Sequence, residues 1–396
     1  MSRREVARLF GPAWIALLAD ADAASIIGGL ITGKQYGLGL VWFVLLLALP
    51  LFIVQEAAGR VSAITGKSLG EIIRTHYSKK IAILATFPIF SIDVFTYISE
   101  YIGIALGSYL IGIPPFIGLI TFFILHLLVI ITKNYEKTEK TLIFISFLLI
   151  LSSIVAIIPK SPQLHFSAYI STSNNFLTYL AINIGAVVTP PCMLIYQSSA
   201  TSLKYNRINE ITVKYKLSWI TRETALGAIS TELVIVFAEA IGTGLNNVDP
   251  TNTFQLSSVL RSIFSVLPMI FGILILSAGF LALIVVSLSS AWGVLEALGK
   301  DNHIRNLLKI YSLESIPAII VVYLYSYNYS EVLQFATTLL TLAPIVFTVI
   351  ATILGILVSN KNIMKEHAYS RLRMSIYFLT VALIFIGGII GVISIT

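Results

Sequence analysis

The sequence predicts an all-α polytopic membrane protein, and three observations carry that prediction. Of its 396 residues 57% are hydrophobic, only 11% are charged, and the apolar residues fall in long runs broken by short polar ones. A helix crosses the hydrocarbon core with about 20 mostly apolar residues, so this length holds on the order of ten to twelve crossings and little else. The composition excludes a nucleic-acid binder, a secreted disulfide scaffold and a globular cytosolic enzyme. Cys192 is the only cysteine and forms no internal disulfide. No zinc or iron–sulfur spacing and no phosphate-binding loop is present, so neither a resident cofactor nor ATP-driven transport is expected. The basic start leads into the first apolar run without a cleavage pattern, so no signal peptide is expected.

Apolar runs bounded by charge or by Gly/Pro turns place the spans at 12–33, 38–58, 80–111, 114–132, 141–159, 177–202, 223–246, 264–298, 306–326, 332–358 and 374–395. Lys and Arg test that map, because they gather on the cytoplasmic side. With the N-terminus inside, the inner segments hold Arg3, Arg4 and Arg8, then Arg60 to Lys80, Lys133 to Lys140, Lys204 to Arg222, Lys300 to Lys309 and Lys361 to Arg373. Only Lys34, Lys160 and Arg261 fall outside, which supports eleven spans of a multi-pass plasma-membrane protein with its C-terminus outside. The net charge of +7 is then mostly a topology signal and needs no acidic partner. Trp14, Trp42, Trp219 and Trp292 lie near span edges and read as interfacial anchors. The stretch from Lys133 to Lys140, alternating with Glu136 and Glu139, reads as a solvated loop, as do the polar connections before the sixth and eighth spans.

Ionisable residues inside spans are costly and mark functional sites by default. The first span carries Asp20 and Asp22, followed by Ala23, Ala24 and Ser25, with no Lys or Arg nearby. A cation site explains two such carboxylates; acceptance of hydrogen bonds from polar helices is the competing structural explanation. In the sixth span Thr189-Pro190-Pro191-Cys192 puts two prolines in mid-helix, which removes two backbone donors and interrupts the helix. Carbonyls exposed at such a break are cation ligands, although a simple kink is also tolerated in membranes. The first and sixth spans open two five-span blocks, 12–159 and 177–358, and irregularity at matching positions points to inverted repeats. Asp93 and Glu100 in the third span and Glu232 and Glu239 in the seventh each share a helix face at i, i+7. Either pair serves as a proton path, an acidic vestibule lining or an interhelical anchor.

Gly11-Pro12, Asp22 and Gly33-Lys34-Gln35-Tyr36-Gly37, with the loop Gln55-Glu56-Ala57-Ala58-Gly59-Arg60 and Thr65-Gly66-Lys67-Ser68-Leu69-Gly70-Glu71, resemble the NRAMP family of divalent-metal transporters. The similarity covers roughly residues 11–75 and 183–200, with Gly112-Ile113-Pro114 and Glu296 as weaker anchors. It implies a LeuT-like fold: ten core helices in two inverted repeats, an eleventh peripheral helix at 374–395, and an ion site between broken helices one and six. It also implies as ligands Asp22, Ser25, Thr189 and the carbonyls of Ala19 and Ala186, with Asp20 either a ligand or a group behind one.

The departures carry chemistry. The family's Asp-Pro-Gly-Asn reads Asp22-Ala23-Ala24-Ser25, which loses the helix-breaking pair and leaves Gly28 and Gly29 as the nearest residues able to relax the helix. Its Met-Pro-His reads Thr189-Pro190-Pro191, and its second histidine falls at Tyr196. Without the thioether the donors are oxygens, which suit hard cations such as Mg²⁺. Thr189, Pro190, Gln197 and Ser198 resemble the family's magnesium-transporter branch. Cys192 is one candidate soft ligand that would restore preference for Mn²⁺ or Fe²⁺. Thr96 and Ser99 stand where the family's helix-three carboxylates carry protons, so family-type proton coupling is not expected. The rival readings are a proton-coupled Mn²⁺ or Fe²⁺ importer, a LeuT-fold carrier of a small organic solute, and a non-transporting membrane sensor. The scattered histidines enter no expected site, and the partners are the bilayer and the transported ion.

Overall fold

The structure, a computed structural model, describes residues 8–395 apart from 133–134, 160–165, 174–175, 178, 181–182, 185–190, 209, 246–247, 326–327 and 341. In hydrocarbon every backbone donor and acceptor must be satisfied within the chain, and the described segments are built almost wholly from helices. The first span divides into α1 (Pro12–Leu18) and α2 (Ala23–Tyr36), bent by 48°. Next come α3 (Val41–Thr65), the short amphipathic α4 (Leu69–His76), α5 (Lys79–Leu110), α6 (Pro115–Ile131) and α7 (Tyr135–Ile157). The second half holds α8 (Pro191–Tyr205), α9 (Val213–Gly242), α10 (Thr253–Ile263), α11 (Leu267–Leu298) and α12 (Ile304–Leu324). It closes with α13 (Ser330–Leu340), α14 (Ala343–Ser359), the single turn α15 (Lys361–Met364) and α16 (Arg371–Ile395).

Local chemistry sets the ends. Ser78 and Asn252 cap α5 and α10 through their side chains, and Gly66 and Gly299 end α3 and α11 in left-handed conformations. At 32 residues each, α5 and α11 are roughly 48 Å long, longer than the ~30 Å hydrocarbon core, so each tilts or extends beyond it. They pack on each other more extensively than any other described pair and form the centre of the bundle, against which α2, α7, α8 and α12 lie, while α9 packs on α1, α2, α3 and α7. The apolar outer faces of α6 (Phe116, Ile120, Ile124, Leu128) and α16 (Leu372, Ile376, Leu379, Leu383) are exposed and fit contact with lipid.

Each expected span has helix at its position, although only the second half of the sixth can be described throughout, and several expectations need correction. The first span breaks at Ala19–Asp22, while Gly28 and Gly29 sit inside regular helix. The segment from Tyr135 to Lys140 forms the first turns of α7, and Glu139 is buried against Lys204; Lys133 lies outside the described residues. The connection before the eighth span contains helix α10. Trp14, Trp219 and Trp292 are buried within the protein, leaving Trp42 as the partly exposed member of the four. Trp14 illustrates the reason: its Nε1 donates to Ser146 (2.8 Å), a partner supplied by tertiary packing and invisible to span-edge reasoning.

Candidate functional site

The break in the first span is held by side chains from three directions. Asp22 is the N-cap of α2, and its Oδ1 accepts from the Ser25 amide (2.7 Å). Ser25 Oγ in turn donates to the Asp20 carbonyl (3.1 Å). Such a cap replaces a partner that the lost helical turn would have supplied, so Asp22 and Ser25 do locally what a Pro-Gly pair does by exclusion. From α5, Glu100 Oε2 accepts from the Ala23 amide (3.1 Å). That approach needs Gly103, because a Cβ there would sit 2.2 Å from the Ala23 Cβ. From α9, Thr231 donates to the Leu17 carbonyl (2.6 Å) at the end of α1.

Carboxylates surround this break without counter-ions. Asp20 is fully buried and neither oxygen has a hydrogen-bond partner. It lies within electrostatic reach of Asp22 and of Glu232, while the Asp22 and Glu100 carboxyls face each other. Glu232 and Glu239 are fully buried along α9, and none of their four oxygens is partnered. On the other side Cys192, in the first turn of α8, faces Asp93 and Ser289. Both oxygens of Asp93 lack partners, and its neighbour Glu314 in α12 accepts from Ser290 (2.5 Å) through Oε1 alone. None of the ion pairs among the described residues involves these acids. Uncompensated buried charges cost several kcal/mol each even after relaxation, so the group must hold protons or a cation.

The ligand set expected from sequence is only partly brought together. Ala19 ends α1 beside Asp20, Asp22 and Ser25, whereas Ala186 and Thr189 lie outside the described residues. Among the described residues no three His, Cys, Asp or Glu side chains converge to hold a metal by themselves. A cation at the break would therefore draw on hydroxyls and carbonyls as well as carboxylate. Tyr196 points away from the break and stacks on Trp292, with ring centroids 5.6 Å apart. Gln197 reaches Thr224 of α9 (3.3 Å), and Ser198 joins Ser62 (2.6 Å) and the Leu69 amide (2.6 Å), so Ser198 pins the loop after α3. His126 is buried against Ser287 (2.7 Å) and the ring of Tyr311, not against any of these acids.

Sequence reasoning passed over Glu314, although an acid within an apolar span is the same signal that singled out Asp20. It also passed over Glu223, which accepts from the Gly11 and Trp14 amides (2.6 and 3.1 Å). Nothing in the local sequence shows that contact, which joins residues more than 200 positions apart.

A family model described as natural resistance-associated macrophage protein-like matches residues 13–394. The divalent metal cation transporter MntH of Staphylococcus aureus (strain JH9) is 25% identical over 390 residues, covering 92% of this chain and 86% of that protein. The MntH of Levilactobacillus brevis (strain ATCC 367) is 26% identical, and that alignment covers 68% of this chain and 63% of the relative. Among solved structures, the Eremococcus coleocola manganese transporter superposes with a TM-score of 0.83 at 16% identity, covering 99% of this chain and 88% of the other. MhsT, solved with L-phenylalanine, superposes at 0.59 and 13% identity over 100% and 98% of the two chains, which places the helices in the LeuT-like arrangement. A match over nearly the whole chain, together with the shared helical architecture, shows that this multi-pass membrane protein belongs to the natural resistance-associated macrophage protein-like family.

Proposed function

We propose that this chain is a secondary transporter that carries a divalent metal cation across the membrane by alternating access. The observation that carries the reading is the break at Ala19–Asp22, where Asp20 and Asp22 are buried without any cationic partner. Names and architecture of the relatives support it. Asp22 and Ser25 are the ligands from the first span, with the Ala19 carbonyl; Thr189 and the Ala186 carbonyl complete the set from the sixth. Asp20 and Glu100 add charge beside them, and Glu232 and Glu239 line an acidic approach. The two repeats are 12–159 and 177–358, with the Lys/Arg-rich end cytoplasmic.

Oxygen donors favour a hard cation, so Mg²⁺ is the substrate this site suits best. The Cys192 thiol is turned to Asp93 and Ser289, and Asp20 reaches it only through its field, which supports a set without sulfur. Thr96 and Ser99 cannot relay protons as carboxylates do, so the membrane potential drives entry, at about 2.3 kcal/mol per charge per 100 mV. A second reading, Mn²⁺ carried with protons, is favoured by the manganese transporter whose fold this chain shares. Side-by-side uptake of Mg²⁺ and Mn²⁺ into proteoliposomes at fixed potential, with an internal pH dye, separates the two. Mg²⁺ entry at constant pH is the expected result; Mn²⁺ entry with acidification supports the second reading, and flux of neither ion sinks both.

A further inference from the structure

The two sides of the break differ in access. Every residue of α1 is buried, and the segment before it is held by polar side chains from three elements. Glu223 of α9, itself buried, takes the Gly11 and Trp14 amides. Lys204 of α8 donates to the Phe10 carbonyl (2.5 Å) and to Glu139 of α7 (2.8 Å), and Tyr205 donates to the Leu9 carbonyl (3.4 Å). Gly11 has φ +145°, and a Cβ there would lie 2.3 Å from Glu139 Oε1, so the chain passes directly over this carboxylate. The rings of Phe10, Trp14 and Phe147 fill the remaining space, with centroids 5.5 to 6.5 Å apart. On α2, by contrast, Ala24, Gly28 and Ile31 are only partly buried and Gln35 is exposed, a single helical stripe running away from Asp22. A Cβ built at Gly28 would meet no atom within 4 Å.

From this asymmetry we infer that the Arg8 end of the cation path is shut by a polar clasp on residues 9–14, and that Glu223 and Lys204 are its positioning residues. The inference rests on the transport reading above. Apart from the Lys204–Glu139 pair that joins α8 to α7, the clasp's bonds cross between residues 9–14 and α8 or α9. Water can replace each of them once this end opens, so the clasp holds one state of the transporter without being needed for its fold. Cation discharge toward the Arg8 end then requires the first half-helix to leave Glu223 and Lys204 while Asp22 stays in place.

Cys192, 1% exposed and within electrostatic reach of Asp20, is a native reporter of access. Full-length protein is reconstituted in sealed vesicles of each orientation and labelled with a membrane-impermeant thiol reagent. Glu223→Gln and Lys204→Met are each expected to raise labelling about five-fold from the Arg8 side alone, as a modest loss of closed-state stability would. Glu223→Asp should restore the slow rate. An Ala13→Cys reporter in a Cys192→Ser background repeats the measurement next to the clasp. Unchanged labelling at both reporters in both variants, or an equal rise from both sides, overturns the clasp. Failure of the transport reading instead appears as absent uptake by the unaltered protein, a separate measurement.

Discussion

At the Lys/Arg-rich end of the bundle each buried carboxylate has been given a partner, whereas around the break in the first span Asp22 and Glu100 each hold a backbone amide and the other carboxylates have been left without one. Glu56 is bonded by Arg60 (2.5 Å), Thr221 (2.9 Å) and Tyr369 (2.7 Å), which ties α3 to α9 and to the connection before α16. Burial and the adjacent carboxylate push the Tyr369 phenol above its usual range, so it remains a donor at any physiological pH. Glu139 has Lys204, and Glu223 has two backbone amides. Asp20, Asp93, Glu232 and Glu239 have no hydrogen-bond partner at any carboxylate oxygen. Both sets are equally buried, so burial alone does not separate them. Paired acids tie helices together; on the transport reading proposed above, the unpaired ones are where a cation or proton would be received.

That contrast can be broken most severely at Asp22. Asp22→Ala is expected to bring cation uptake to background while the purified protein remains folded in detergent; full uptake would remove the site from the account. Next in size, Glu56→Gln or Arg60→Met should lower unfolding free energy by about 3–5 kcal/mol, the cost of leaving one buried charge alone. Asp20→Asn and Asp93→Asn should leave stability equal or raise it, because they remove charges with no protein counter-ion. Denaturant titration of the four variants compares the two classes, and equal losses in all four would erase the distinction. A smaller effect is expected of Glu232→Gln and Glu239→Gln, which should raise the KM for the cation several-fold and spare the maximal rate; initial-rate uptake against concentration reads this. Least of all, Cys192→Ser should leave the order of Mg²⁺ over Mn²⁺ unchanged, since the thiol faces Asp93 and Ser289.

Much of the architecture was legible because the bilayer imposes a length on every crossing. Residues 12–33 and 374–395 could be placed from hydropathy alone. The break at Ala19–Asp22 was less so: without proline or glycine, its cause is a capping carboxylate, and Asp22-Ala23-Ala24-Ser25 has the form of an N-cap hidden inside an apolar run. Asp20, Asp22 and Glu100 could be singled out because charge in a span is rare. That Glu100 reaches the Ala23 amide depends on the close approach at Gly103, a tertiary fact. Glu139 was misread for the converse reason. A charged stretch looks solvated until Lys204, from the other half of the chain, is known to lie beside it.

Calorimetric titration of Mg²⁺ into purified protein tests the central claim most directly, comparing the unaltered chain with Asp22→Ala and Asp93→Asn. The account expects saturable binding in the unaltered protein and in Asp93→Asn, and its loss in Asp22→Ala. Binding by Asp22→Ala with unaltered affinity would contradict the claim that the carboxylate at the first-span break receives the cation.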